Sequence, residues 1–75
     1  MHNVQPLTRI RAERLRRGWS QQTLAYHAGV TVADLSRIET GRLRPYNGQT
    51  QRLARVLNMN PAELLSEVSA LKAEE

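Results

Sequence analysis

The side chains best suited to specific chemistry lie between Thr31 and Arg37. Arg37 carries a guanidinium that can donate two parallel hydrogen bonds to O6 and N7 of guanine, or can bind a phosphate instead. Val32 and Ala33 are apolar at positions that a surface helix would expose, and each could pack against the methyl group of thymine. With two nearby hydroxyl groups they form a candidate base-reading set, whose members are Thr31, Val32, Ala33, Ser36 and Arg37.

Enzymatic chemistry finds much less support in the sequence. The two histidines, His2 and His27, are not accompanied by a nucleophile, a carboxylate cluster or a glycine-rich phosphate loop. The chain has no cysteine, which excludes disulfides and thiolate metal sites. We therefore expect a protein that is not an enzyme and that needs no metal, cofactor or small-molecule ligand.

Two short helices joined by a tight turn are predicted over residues 20–41. Ser20 is a typical N-cap of the first helix, and Gly29 can adopt the positive φ that ends a helix. Thr31 then caps the second helix. Asp34, which phosphates would repel, is assigned to the positive end of that helix in preference to a cytosine contact. A glycine turn between two short helices is the helix-turn-helix arrangement, in which the second helix enters a DNA groove.

The same stretch resembles a known family. The patterns S-Q-x-x-L-A-x-x-A-G-V-T and L-S-R-I-E-x-G are similar to the Cro/phage-repressor class of helix-turn-helix proteins, the xenobiotic-response-element-like regulators. The resemblance extends over about residues 7–66. It implies contacts to the DNA backbone from the start of helix 2 and from the loop after helix 3. The residues in these positions are Ser20, Gln21, Thr40, Arg42, Arg44 and Asn47.

Arg14 and Glu39 resemble the family's internal ion pair, which links helix 1 to the end of helix 3. Glu39 is an acid on the helix expected to face DNA, so it fits there only if it points inward and is neutralised. Arg14 lies on the predicted apolar face of helix 1 and needs a partner for the same reason, because buried charges are costly unless paired. We predict a structural ion pair between the two.

The whole chain is expected to form one all-α domain over residues 1–75, a compact five-helix bundle of the lambda-repressor-like type. Helices are predicted at about residues 6–17, 21–28, 32–40, 48–57 and from residue 61 onward. Residues 1–5 are interpreted as a flexible arm and residues 66–75 as a C-terminal helix end and tail. Trp19 is expected to fill the core. Thr50 stands where relatives usually carry a larger aliphatic side chain, so helix 4 is expected to pack less firmly.

The charge distribution is asymmetric. Among 75 residues, 11 are basic and 7 acidic. Residues 1–55 carry ten arginines and three acids, whereas residues 56–75 carry one lysine and four glutamates. This pattern is typical of a protein with one surface facing a polyanion, although a solvated arginine-rich surface would look the same. No apolar run is long enough for a membrane span, and we expect a cytoplasmic protein that is nucleoid-associated when bound to DNA.

These observations predict a sequence-specific regulator that binds double-stranded DNA. Because one recognition helix spans few base pairs, we expect a homodimer on a palindromic operator, with an interface formed by Met59, Leu64, Val68 and Leu71. In the competing arrangement, Leu64 and Leu65 fill the core and the tail frays. A phage-type repressor, a controller of a restriction-modification operon and a small autoregulator all fit. The alternative from a different class is an antitoxin-like or adaptor module that uses this fold to hold a protein partner.

Overall fold

A computed structural model describes residues 8–66 of the chain. These residues form four α-helices: α1 (Arg9–Arg16), α2 (Gln21–Ala28), α3 (Val32–Glu39) and α4 (Asn47–Leu57). A single 3₁₀ turn follows at Pro61–Glu63. None of these helices is long and apolar enough to cross a membrane. The all-helical fold class is confirmed.

The helix-turn-helix begins and ends at the residues that its caps predict. The Ser20 hydroxyl accepts the amide proton of Thr23 at 3.1 Å, and the Thr31 hydroxyl accepts that of Asp34 at 3.0 Å. Each cap satisfies one of the amides that a helix N-terminus leaves unpaired. Gly29 ends α2 with φ +69°, which is why a glycine is required at this turn.

Helix α1 starts later than predicted. Thr8 is its extended N-cap residue, and its hydroxyl accepts the amide proton of Arg11, so the helix begins at Arg9 and not at residue 6. The predicted start rested on Pro6, which is favourable at a first helical position. The Thr8 cap determines the boundary instead. The arm assigned to residues 1–5 lies outside the described residues.

The core is small and aliphatic, and it is formed by residues from all four helices and by Leu64, directly after the 3₁₀ turn. Trp19, Val30, Leu43, Val56 and Met59 pack against it while remaining partly buried. Trp19 therefore fills the core only in part, and one of its ring faces stacks on His27 with centroids 5.3 Å apart. The fully buried apolar residues are Ile10, Leu24, Ala25, Ala28, Leu35, Ile38, Leu53, Ala54, Leu57 and Leu64.

The fifth helix is not confirmed within residues 8–66. Asn60 caps the predicted start, accepting the amide proton of Ala62 at 3.0 Å, but the chain forms only one 3₁₀ turn. Its backbone then bonds elsewhere: the carbonyls of Leu64 and Ser66 accept the amide protons of Ile10 and Arg9 at 3.2 and 2.9 Å. These bonds satisfy unpaired amides at the start of α1, and they replace the next helical turn.

One of the four residues of the predicted dimer interface is buried within its own chain. Leu64 is only 1% exposed, so it belongs to the core of its own chain and is not available to a partner, contrary to our prediction. Its neighbour Leu65 is exposed, and Met59 is partly buried. Val68 and Leu71, the other two residues of the predicted interface, lie outside the described residues, as do residues 67–75 of the predicted tail.

Two arginines connect helix ends that are distant in sequence. Arg52 of α4 donates to the carbonyls of Ala28 and Gly29, at 2.9 and 3.4 Å, and so holds the end of α2 and the turn. Arg17 donates to the carbonyl of Leu57 at 3.0 Å at the end of α4. A cation at a helix C-terminus also interacts favourably with the helix dipole. Arg52 therefore ties the helix-turn-helix to α4, whereas Arg17 ties the end of α1 to the end of α4.

Candidate nucleic-acid interface

The exposed face of α3 carries most of the predicted base-reading residues. Leu35, Ile38 and Glu39 point into the domain and are buried. Residues at intervals of three and four along a helix share a face, so Ala33, Arg37 and Thr40 form the opposite, exposed ridge. Thr31 and Val32 are exposed at the N-terminal end of this ridge, and Ser36 is half-buried beside it.

Val32 and Ala33 present apolar surface to solvent. Val32 is 39% exposed, and Ala33 is exposed as well. Neither can donate or accept a hydrogen bond through its side chain, so contact with a thymine methyl is the readout chemistry open to them. Their exposure in the free protein is the condition that such a contact requires.

The Arg37 side chain has no hydrogen bond or ion pair to any other described residue. The backbone carbonyl of Arg37, in contrast, accepts hydrogen bonds from the loop that follows α3. That carbonyl accepts the amide protons of Arg42 at 2.8 Å and Leu43 at 3.2 Å, which folds the following loop back on the helix end. Gly41 allows this reversal through its φ of +78°. The loop thus holds Arg42 and Arg44 next to the end of α3, both with exposed side chains.

Helix α4 starts at the predicted backbone-contacting residue Asn47, which is exposed. A helix N-terminus presents unpaired amides and a positive dipole end, both of which favour a phosphate. The loop therefore carries several hydrogen-bond donors that could bind phosphates, namely Arg42, Arg44 and the amides at the start of α4. We call this segment the phosphate loop (residues 42–47).

The predicted backbone contacts at the start of α2 are partly engaged within the chain. The Ser20 hydroxyl caps α2 and lies 3.0 Å from the Thr23 hydroxyl. The Gln21 side chain donates to Glu39 Oε1 at 3.0 Å. One amide proton of Gln21 is thereby used, and the second remains for a phosphate oxygen.

Thr40 has less capacity to bind a phosphate than predicted. Its hydroxyl donates back to the carbonyls of Ser36 and Arg37, at 3.1 and 3.2 Å, and its own amide bonds to Ser36 at 3.3 Å. A phosphate oxygen needs a donor, and a hydroxyl has only one proton. In this rotamer Thr40 completes the end of α3.

The predicted ion pair is present and is buried. Arg14 donates from Nε and Nη2 to the two oxygens of Glu39, at 2.6 and 3.0 Å, and from Nη1 to the Trp19 carbonyl at 2.9 Å. Arg14 is 7% exposed and Glu39 1% exposed. The Thr8 hydroxyl also donates to the Glu39 carbonyl at 3.0 Å. This network anchors the end of the candidate recognition helix to α1 and α2.

Sequence reasoning missed Gln49, which is 4% exposed. Its Oε1 accepts the amide proton of Tyr46 at 3.2 Å, and its Nε2 donates to Asp34 Oδ2 at 3.2 Å. The first bond could have been found, because a glutamine three residues after an N-cap residue is half of a capping box. The second joins residues 15 positions apart. No local pattern indicates it.

The arginines divide into two groups within residues 8–66. Arg9, Arg14, Arg16, Arg17 and Arg52 have hydrogen-bond partners inside the chain. No such bond or ion pair is found in this part of the chain for the other five, which are Arg11, Arg37, Arg42, Arg44 and Arg55. Three of those five follow one another along α3 and the phosphate loop. In the same range, no three histidine, aspartate or glutamate side chains lie together as a metal site.

Comparison with known proteins agrees with this geometry. A family model described as a helix-turn-helix domain matches residues 8–67. No curated protein sequence matches the chain. Among solved structures, the chain is similar to the restriction-modification controller protein C.AhdI from Aeromonas hydrophila, with 32% identity and a TM-score of 0.68. The match covers 76% of this chain and 86% of that protein. The chain belongs to the Cro/phage-repressor-like family of helix-turn-helix domains.

Proposed function

We propose that this protein is a sequence-specific regulator of transcription that binds double-stranded DNA, as a small dimeric repressor or operon controller. One observation carries the proposal. The exposed ridge of α3 runs directly into the phosphate loop, and the side chains of Arg37, Arg42 and Arg44 have no partner among the other described residues. The similarity to a restriction-modification controller supports the same class of function.

The two parts of this surface have different tasks. The exposed ridge of α3 enters the major groove, where Arg37 reads guanine and Val32 and Ala33 contact thymine methyl groups. The phosphate loop and Gln21 hold the sugar-phosphate backbone and fix the register of the helix. Specificity therefore depends on α3, while affinity and its salt dependence come largely from the arginines of the loop.

The direct test is binding of the purified chain to duplexes recovered by site selection, followed by fluorescence anisotropy against a scrambled duplex. We expect clear preference for the selected sequence and an affinity that falls steeply with salt. Arg37→Ala should lower affinity for the selected site by about 1–3 kcal/mol and relax the choice at one base pair. Equal losses on both duplexes would reduce Arg37 to a phosphate contact.

The phosphate loop has its own test and a matched control. Arg42→Ala and Arg44→Ala should weaken binding to both duplexes and flatten the salt slope by about one unit each. Arg55→Ala removes the same charge from the last turn of α4, beside Tyr26 and His27, and should leave the slope unchanged. Equal slopes for all four proteins would exclude the loop from the contact surface.

The proposed dimer reads two half-sites roughly 34 Å apart, and its two-fold symmetry requires a palindromic operator. The remaining interface candidates are Met59, Val68 and Leu71. We expect Val68→Asp combined with Leu71→Asp to give a folded monomer by sedimentation, with much weaker operator binding. A double variant that still sediments as a dimer places the interface elsewhere.

A further inference from the structure

A continuous chain of hydrogen bonds joins the start of the recognition helix to the phosphate loop. The amide of Tyr46, at the end of the loop, donates to Gln49 Oε1 at 3.2 Å. Gln49 Nε2 then donates to Asp34 Oδ2 at 3.2 Å, and the Asp34 amide donates to the Thr31 hydroxyl at 3.0 Å. Asp34 lies in the first turn of α3, one residue from Ala33 and one helical turn from Arg37.

The two partners fix the orientation of the Gln49 amide. A backbone N–H can only donate, and a carboxylate can only accept, so the oxygen of Gln49 faces Tyr46 and its nitrogen faces Asp34. Gln49 is nearly fully buried and Asp34 half-buried, so water competes weakly for these bonds. The bond to Asp34 is partly buried, and its carboxylate acceptor makes it stronger than a bond of the same geometry between neutral groups.

We infer that Asp34 and Gln49 act as a positioning pair for base recognition. The pair sets the angle and depth of the α3 N-terminus relative to the phosphate loop, so that backbone contacts place Val32, Ala33 and Arg37 against the correct base edges. This inference rests on the proposed DNA-binding function and goes beyond it, because it assigns a specificity role to residues that need not touch DNA.

The structure favours this role over direct readout by Asp34. A carboxylate could accept a hydrogen bond from N4 of cytosine. In this structure, however, one carboxylate oxygen is bound to Gln49, and the side chain is turned from the exposed ridge toward α4. A negative charge close to phosphates also opposes binding, and it is tolerated here because it holds the helix.

The test compares two variants of the same residue, Asp34→Asn and Asp34→Ala. Asparagine keeps an oxygen that can accept from Gln49 and removes only the charge, whereas alanine removes both. The measured quantity is the ratio of affinities for the selected duplex and a scrambled duplex, at one salt concentration. It is measured on protein shown to be folded by circular dichroism.

For Asp34→Asn we expect an unchanged ratio and tighter binding to both duplexes. For Asp34→Ala and for Gln49→Leu we expect the ratio to fall about tenfold, a loss comparable to one charge-assisted hydrogen bond. The double variant Asp34→Ala, Gln49→Leu should lose no more than either single variant, because both act through one bond. If Gln49→Leu does not fold, the two Asp34 variants decide the question alone.

Two results would overturn the inference. A ratio that stays at the wild-type value in Asp34→Ala shows that the pair does not position the helix. A change of preferred base when site selection is repeated with Asp34→Asn shows that Asp34 reads a base directly. Failure of the proposed function is a separate outcome, since the wild-type protein would then show no preference for any selected duplex.

Discussion

Replacing Glu39 by alanine is the most informative single perturbation of this fold. The carboxylate accepts two hydrogen bonds from Arg14 and one from Gln21, in a site that is 1% exposed. In Glu39→Ala the Arg14 guanidinium stays buried and keeps only the Trp19 carbonyl as a partner. An unpaired buried charge is the reason that breaking such a pair destabilises a protein strongly.

The expected loss is about 3–5 kcal/mol of unfolding free energy. A domain of 75 residues has a total stability of roughly 4–11 kcal/mol at the usual value per residue. We therefore expect Glu39→Ala to lose a large part of the stability of the domain, and to unfold at 25 °C where the wild-type value lies at the lower end of this range. With a urea dependence of about 1–1.5 kcal/mol/M, the midpoint should move down by roughly 2–5 M.

Urea denaturation followed by Trp19 fluorescence and by circular dichroism measures this loss, since Trp19 packs against the core. The double variant Arg14→Met, Glu39→Leu removes both charges and should recover most of the stability, because apolar pairs often replace buried ion pairs without loss. This recovery separates the cost of an unpaired charge from the cost of lost volume.

Glu13→Ala is the matched control, because it removes a glutamate whose ion pairs, with Arg16 and Arg17, are more exposed than the Arg14–Glu39 pair. The hydrogen bond from Arg16 holds the pKa of Glu13 below its usual range. The stabilisation from this pair is therefore present above the unfolded-state pKa and is lost as the pH falls through the folded-state pKa. At pH 7 the pair is intact, and its removal should cost less than about 1 kcal/mol. If Glu39→Ala also loses less than that, the argument from burial is wrong.

Two further predictions concern packing and the turn. Thr50 lines a pocket of about 180 Å³ with Pro45, Leu64 and other residues, so Thr50→Leu should occupy part of it and raise the free energy of unfolding by roughly 0.5–2 kcal/mol, seen as a higher urea midpoint; a lower midpoint would show that the pocket cannot accept the side chain. Arg52→Met keeps the apolar stem but loses the bonds to the end of α2, and it should cost about 1–3 kcal/mol in the same assay; an unchanged midpoint would mean that water replaces the guanidinium without cost.

The sequence by itself determined the local features of this protein. The cap residues Ser20 and Thr31 and the turn residue Gly29 act on backbone groups within four positions, so their effect is visible in the sequence. The inward residues of α2 and α3 follow from helical periodicity for the same reason. Together these signals predicted the helix-turn-helix and the exposed ridge of α3.

The tertiary structure decided which charges remain available and where the last helix stops. An arginine has a long flexible stem and five donors, so its partner depends on what packs nearby and not on its neighbours in sequence. Arg17 and Arg52 bind helix ends that lie 40 and 24 positions away. Likewise, Asn60 and Pro61 correctly indicate a helix start, but the helical turn is not continued through residue 66. The carbonyls of Leu64 and Ser66 accept hydrogen bonds from the amides at the start of α1 instead.

The Asp34–Gln49 bond shows the same limit at the candidate site. Each residue has a sufficient local explanation, Asp34 at a positive helix end and Gln49 in a helix cap, so the sequence contains no signal that they meet. They meet because α3 and α4 both pack against α2, which brings the two side chains within 3.2 Å at a partly buried site. Contacts of this kind depend on the relative placement of helices, which only the folded chain determines.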